Sequence, residues 1–329
     1  MATSRRSEHK PGPPYQESGP GLRRRPRPNA RHHRIAWLCF LLIPPALFFS
    51  TFVILPILSA FWYSVYDWDG LRRTEYIGLQ NFRTVLFTPP YSTTTYTAFG
   101  HNVIVFLTLM VVQNGTAFFL AYFLSKQFRG FRFHQVVVFL PVILSTIIIG
   151  VQWKLLLNPL FGAFNMALSA LNLSHLAQPW LGQESTALPA LMLVNTWHWV
   201  GFPTLVFLAA IQRIPTELIE AARLDGASEG VLLRRIVWPL IAPAVTIIVI
   251  LTFIGAFNWF ELPYIMAGLD GPYGTDVLGL YFYRTAFGNV GSSFQNFGLG
   301  SALAVLMFLF ILICSVILTR ILRRRETEL

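Results

Sequence analysis

The chain has 329 residues, 54% of them hydrophobic and 12% charged, with a net charge of +10 and a mean hydropathy of +0.54. A soluble domain carries about 25% charged residues, so this composition excludes an ordinary soluble protein and puts most of the chain in a bilayer. The positive charge does not indicate nucleic-acid binding, because much of it is gathered at the start, in "SRRSEHK" and "LRRRPRPNARHHR".

Residues 1–34 combine Pro, Gly, Ser and Arg with few apolar side chains and cannot bury a core. They read as a basic, disordered cytoplasmic tail, with membrane lipid of anionic type as its contact. The remainder, residues 35–325, reads as one transmembrane domain. The first apolar run has no small-residue cleavage site after it, so it is expected to stay as a span.

A helix needs about 20 apolar residues to cross about 30 Å of hydrocarbon. Six runs qualify: 35–62, 100–124, 135–157, 187–211, 239–262 and 299–322. Each is continuously apolar rather than alternating, so helices are expected and the fold class is an all-α, multi-pass membrane protein. Pro44, Pro45, Pro56, Pro141, Pro203 and Pro243 fall within or at the ends of these runs and predict kinks. Cys39 and Cys314 both lie inside apolar runs, where neither a structural disulfide nor a metal site is expected.

The Lys/Arg asymmetry sets the orientation. With both termini cytoplasmic, the inside receives the tail, Lys126, Arg129, Arg132, Arg213, Arg223, Arg234, Arg235, Arg320, Arg323, Arg324 and Arg325. The outside keeps only Arg72, Arg73, Arg83, Lys154 and Arg284.

Polar groups inside a bilayer are costly and mark candidate functional positions. Gln113, Asn114, Gln152, Asn195, His198, Asn258 and Glu261 stand in the runs, with Trp197, Trp199, Trp259 and Phe260 beside several of them. Hydrogen-bonding groups next to aromatic rings suit a sugar, and Asn195, Trp197, Trp199, Asn258, Trp259 and Glu261 are the candidate substrate pathway. The competing explanation is an interfacial aromatic belt and helix–helix hydrogen bonding. His198 is expected to serve as a packing donor, not a base.

Between the fourth and fifth runs, "ELIEAARLDGASEGVLLRRIVWP" is conspicuously charged. Pro215 suits a first helical turn, Glu217 and Glu220 suit its dipole, and Gly226 suits a left-handed cap. Leu218, Ala221, Ala222 and Asp225 share one face. Ser228 is placed to cap a second short helix that stops before Pro239. Such a segment either connects two spans along the membrane surface or docks into a groove of a cytoplasmic partner.

Glu220–Ala222, then three residues, Gly226, nine residues and "IVWP" at Ile236–Pro239 resemble the EAA loop of ABC-importer permeases, with Trp238 where that pattern has leucine. "YIGLQNFRTVL", "LPVILSTIIIGVQWKLLLNPLFGAFN" and "LYFYRTAF" extend the resemblance over residues 36–325 to carbohydrate-uptake permeases of the maltose and glycerol-phosphate type. The resemblance implies a permease subunit of a bacterial inner membrane with no cofactor of its own and no catalytic activity. It further implies that loop 212–239 is a coupling loop. Its Glu220, Ala221, Ala222, Asp225 and Gly226 would meet a separate ABC ATPase dimer, which binds the ATP. A second, related permease would complete a heterodimer, and an extracytoplasmic solute-binding protein would touch the outer loops, chiefly "AGLDGPYGTDVLGLYFYRTAFG". The alternatives are a secondary transporter, which leaves the loop's spacing unexplained, and a membrane-embedded enzyme, for which H-E-x-x-H and the phosphate loop G-x-x-x-x-G-K-[S/T] are missing from the sequence.

Overall fold

The computed structural model describes residues 29–68, 73–269, 271, 273–288 and 295–324. Most of the basic tail, together with Arg72 and Arg325, falls outside the described residues. The chain divides into two units, residues 1–56 and 57–329. The described part of the first is a helix, Asn29–Phe49, which carries Pro44 and Pro45 internally and continues into a π-turn at Ser50–Ile54.

Among the described residues, four helices are long and apolar enough to cross a membrane: Trp37–Tyr63, Tyr91–Ser125, Ala242–Met266 and Phe297–Arg323. Two further pairs qualify only if each bent pair is one span: Phe131–Ile143 with Thr146–Leu156, and Glu184–Trp199 with Gly201–Ile211. Taken in chain order these are spans 1 to 6, and the expectation of six holds only when both bent pairs are counted.

The bends correct the expectation of simple spans. Span 3 turns by 94°. Pro141 removes a backbone donor inside its first half, Leu144 and Ser145 adopt extended backbone, and Ser145 Oγ accepts from Ile147 N at 3.3 Å to begin the second half. Span 4 bends by 43° at Val200. There a Cβ on Gly201 would lie 2.5 Å from Val138 O, so the glycine allows the backbones of spans 3 and 4 to touch.

Span 2 begins at Tyr91, well before the expected residue 100. The added stretch is rich in threonine and escapes a hydropathy reading. It stays helical because Thr94 and Thr95 donate their hydroxyls back to Pro90 O and Tyr91 O, while Ser92, Thr95 and Ala98 are buried. Span 2 also contains a π-turn, Leu109–Gln113.

The all-α expectation needs one amendment. The loop after span 1 carries two short antiparallel strands, Tyr66–Trp68 and Arg73–Tyr76, followed by a helix, Gln80–Phe87. Buried Asn81 holds this loop by donating Nδ2 to Ser64 O and Tyr66 O, each at 2.9 Å.

Two clusters form the core around the site. Val105, Leu109, Ile149, Leu191, Val194 and Leu262 join spans 2, 3, 4 and 5. Ala117 and Ala121 let span 2 approach Phe207, Leu208 and Ile211 of span 4, and Leu232 and Val237 close that cluster below. Small residues at a helix interface are how membrane helices pack closely.

Candidate functional site

Span 5 breaks after Phe257. Asn258, Trp259 and Phe260 leave the helix, and a new one starts at Glu261 and runs to Met266. Asn102 of span 2 braces this break. Its Nδ2 donates to Ala256 O at 2.6 Å, and its Oδ1 accepts from Leu278 N at 2.8 Å.

A cavity of about 450 Å³ opens between the break and spans 2, 3 and 4, within the usual range of about 300–1,000 Å³ for small-molecule sites. Its polar lining is Gln113, Asn114, Thr146, Asn195, Thr252, Asn258 and Glu261, with Trp199, Phe202, Trp259 and Phe260 among its rings. Five of the six expected pathway residues, Asn195, Trp199, Asn258, Trp259 and Glu261, therefore meet in one place. Trp197 does not. It lies on another side of its helix, with its ring 5.5 Å from that of Trp153. Gln152 is also absent from the lining.

The polar groups in the wall are tied to one another. Asn195 Nδ2 donates to Gln113 Oε1 at 3.3 Å, and Asn114 Nδ2 donates to Thr252 Oγ1 at 2.9 Å. Asn114 Oδ1 is buried with no hydrogen-bond partner. Asn258 and Glu261 are exposed, whereas Trp259 is buried. The arrangement offers donors, acceptors and an aromatic wall, with a single acidic group. His198 fulfils its expected packing role: its Nε2 lies 3.2 Å from Leu144 O, at the bend of span 3. Phe202, Thr146 and Thr252 went unnoticed in the sequence, since nothing local separates them from other helix residues.

The charged segment forms a helix, Thr216–Leu224, with no buried residue. Glu220, Ala221, Leu224, Asp225 and Gly226 are exposed, and Ala222 is half-buried. Gly226 takes φ +82°. Ala227 N donates to Ala222 O at 2.9 Å and Gly226 N to Arg223 O at 3.0 Å, which together form a Schellman end. The expected left-handed cap is present at the expected glycine.

The second helix differs from expectation. Ser228 occupies the cap position without a side-chain bond, and the helical run continues from Glu229 through a π-turn, Leu233–Val237, and past Pro239 to Leu240. Pro239 stands in the first turn of its last piece, where a missing N–H is harmless. Glu229, which attracted no attention in the sequence, accepts from Tyr122 Oη, from Lys126 Nζ at 3.1 Å and from Arg223 Nη2 at 3.3 Å.

Residues 33–328 match the family described as binding-protein-dependent transport system inner membrane component. The chain is 30% identical over 292 residues to the probable ABC transporter permease protein YurN of Bacillus subtilis, covering 88% of this chain and 97% of that protein. It is 32% identical over 299 residues to the trehalose/maltose transport system permease protein MalF of Thermococcus litoralis, covering 89% and 96%. Its fold matches a chain of a bacterial ABC transporter that imports the acidic polysaccharide alginate, with a TM-score of 0.76, 21% identity, and 91% and 99% coverage. A helical bundle with a broken fifth span and a cavity at the break, matched along nearly its whole length, therefore has one reading: the chain belongs to the family of binding-protein-dependent transport system inner membrane components.

Proposed function

We propose that the chain is one permease subunit of a bacterial ATP-driven importer for a sugar or oligosaccharide, with both termini in the cytoplasm. The cavity at the span 5 break carries this reading: it sets hydrogen-bonding side chains beside indole and phenyl rings, which suits hydroxyls and flat C–H faces. The relatives named for trehalose and maltose transport, and for starch degradation products, agree with that chemistry.

The exposed helix Thr216–Leu224 is the docking element for a separate ABC ATPase dimer. Glu220 and Leu224 stand clear of the chain, and amphipathic helices received by grooves are a general mode of attachment. A second, related permease completes the pathway. A solute-binding protein delivers the sugar from outside, as the alginate transporter solved with a pentasaccharide-bound periplasmic protein illustrates for a chain of this fold. Hydrolysis of ATP belongs to the partner, and this chain supplies the pathway.

The test has two stages. The solute-binding protein is screened by thermal shift against mono- and oligosaccharides, and the ligand found is offered to proteoliposomes holding the whole complex. ATP-dependent uptake is expected, and Glu220→Lys is expected to abolish it while expression and insertion persist. A ligand that is not a carbohydrate, or normal uptake by Glu220→Lys, would overturn the corresponding half of the proposal.

A further inference from the structure

The Glu229 carboxylate is engaged from three directions. Tyr122, itself buried, donates its hydroxyl to Oε2, and Lys126 donates to the same oxygen at 3.1 Å. Arg223 donates to Oε1 at 3.3 Å. The Lys126 ammonium also stands 4.7 Å from the centre of the Tyr122 ring. These side chains come from the end of span 2, from the helix Thr216–Leu224 and from the helical run that follows Gly226.

None of the residues of the helix Thr216–Leu224 is buried. Among the described residues, it leans on the core through Ile219, which packs against the cluster containing Ile214 and Leu232, and on Glu229 through Arg223. The Glu229 cluster therefore connects the helix to span 2, from which it is remote along the chain.

Span 2 leads from the cluster to the cavity. Tyr122 and Asn114 stand eight residues apart in the helix Asn114–Ser125, about 12 Å along its axis. Ala117 and Ala121 brace that helix against span 4. Beyond Asn114 lies the π-turn Leu109–Gln113, a local departure from the helix ladder of the kind that often sits at functional sites. Gln113 and Asn114 line the cavity and bond Asn195 and Thr252.

We propose that Glu229 is a positioning residue which ties the Thr216–Leu224 helix to the end of span 2, so that displacement of the helix by a docked ATPase reaches Gln113 and Asn114 in the cavity wall. This rests on the docking role proposed above. The route is additional to the covalent one through spans 4 and 5. It gives nucleotide-driven movement a third point of entry, with the π-turn as the place where span 2 gives way.

The experiment uses the full complex with the partner permease and ATPase subunits, in a Cys39→Ser, Cys314→Ser background. Nitroxide labels on Val112→Cys in span 2 and Ile247→Cys in span 5, each next to a cavity-lining residue, report the distance between these spans by pulsed electron resonance, without nucleotide and with ATP plus vanadate. Both positions are exposed in this chain. In the otherwise native complex the distance shifts with nucleotide. In Glu229→Ala the shifted fraction falls at least about fivefold, the low end of coupling between distant sites. Tyr122→Phe, which keeps the buried ring and loses only the hydroxyl, falls part of the way. Glu229→Gln, which still accepts from Tyr122, retains more than Glu229→Ala.

A native complex with no nucleotide-dependent change between these labels, or a Glu229→Ala complex that moves as the native one does, overturns the proposal. Co-purification separates this failure from that of the docking role. If Glu220→Lys still retains the ATPase, the docking reading fails and takes the strut with it. If Glu220→Lys releases the ATPase while Glu229→Ala moves normally, only the strut is wrong.

Discussion

Replacing Asn102 by leucine isolates the polar brace behind the cavity. Asn102 is fully buried and completes two helix ends. Ala256 O belongs to the last turn of Ala242–Phe257, and Leu278 N opens the helix Leu278–Phe287; such terminal groups have no partner within their own helix. Leucine has similar bulk but neither donates nor accepts. Two interhelical bonds at about 0.6 kcal/mol each, the average for membrane helices, account for about 1 kcal/mol. Stranding a buried carbonyl and a buried amide adds about 1–3 kcal/mol for each group. The expected loss is thus about 3–7 kcal/mol, read from denaturant titration in mixed micelles by tryptophan fluorescence. Trp259, three residues beyond Ala256, should lose its fixed environment first. Asn102→Asp should also be destabilising, because the oxygen that replaces Nδ2 would face Ala256 O. A loss below about 1 kcal/mol for Asn102→Leu would refute the reasoning, since it would mean that both backbone groups find other partners.

Three further outcomes are expected. Gly226→Ala forces a side chain onto φ +82° and should weaken the Schellman end by about 1–2 kcal/mol; amide exchange at Gly226 and Ala227 measures it. Trp259→Ala should raise the half-saturation for transport by about five- to tenfold, the equivalent of about 1–1.4 kcal/mol of ring contact, whereas Trp197→Ala, outside the cavity, should leave it near native; equal effects from both would contradict the placement of these rings. The Tyr122 hydroxyl, and then Lys126, hold the Glu229 carboxyl below its ordinary 4.5. A depressed carboxylate stabilises the fold above its unfolded value and loses that contribution as pH falls through the folded one. Amide protection in Arg223–Gly226 should therefore decline as pH drops below 4.5, and Glu229→Gln should flatten the dependence.

The spans with uniform hydropathy were legible in the sequence because burial in lipid needs only length and apolarity. Phe297–Arg323 lies close to the expected 299–322. The helix Thr216–Leu224 was legible for a different reason: its signals are local, with Pro215 before it and Gly226 after it. What the sequence hid depends on contacts between distant positions. Tyr122 and Glu229 are separated by 107 residues, and no local pattern pairs them. The start of span 2 was missed because its threonines satisfy their own hydroxyls within the helix, which hydropathy scores as polar. Trp197 falls outside the cavity lining because nearness in sequence to Asn195 and Trp199 is not nearness in space. On a helix, residues two apart do not face each other.

The elbow in span 3 constrains what lies outside this polypeptide. Its halves, Phe131–Ile143 and Thr146–Leu156, are about 20 and 16 Å long, and neither reaches across about 30 Å of hydrocarbon. Ile143, Leu144 and Ser145 are exposed at the corner. A non-helical corner at that depth is intolerable against acyl chains and is accommodated only beside protein or water. This flank is therefore barred to lipid: protein or water must stand beside it, and one bend dictates that the surroundings of span 3 are not acyl chains alone.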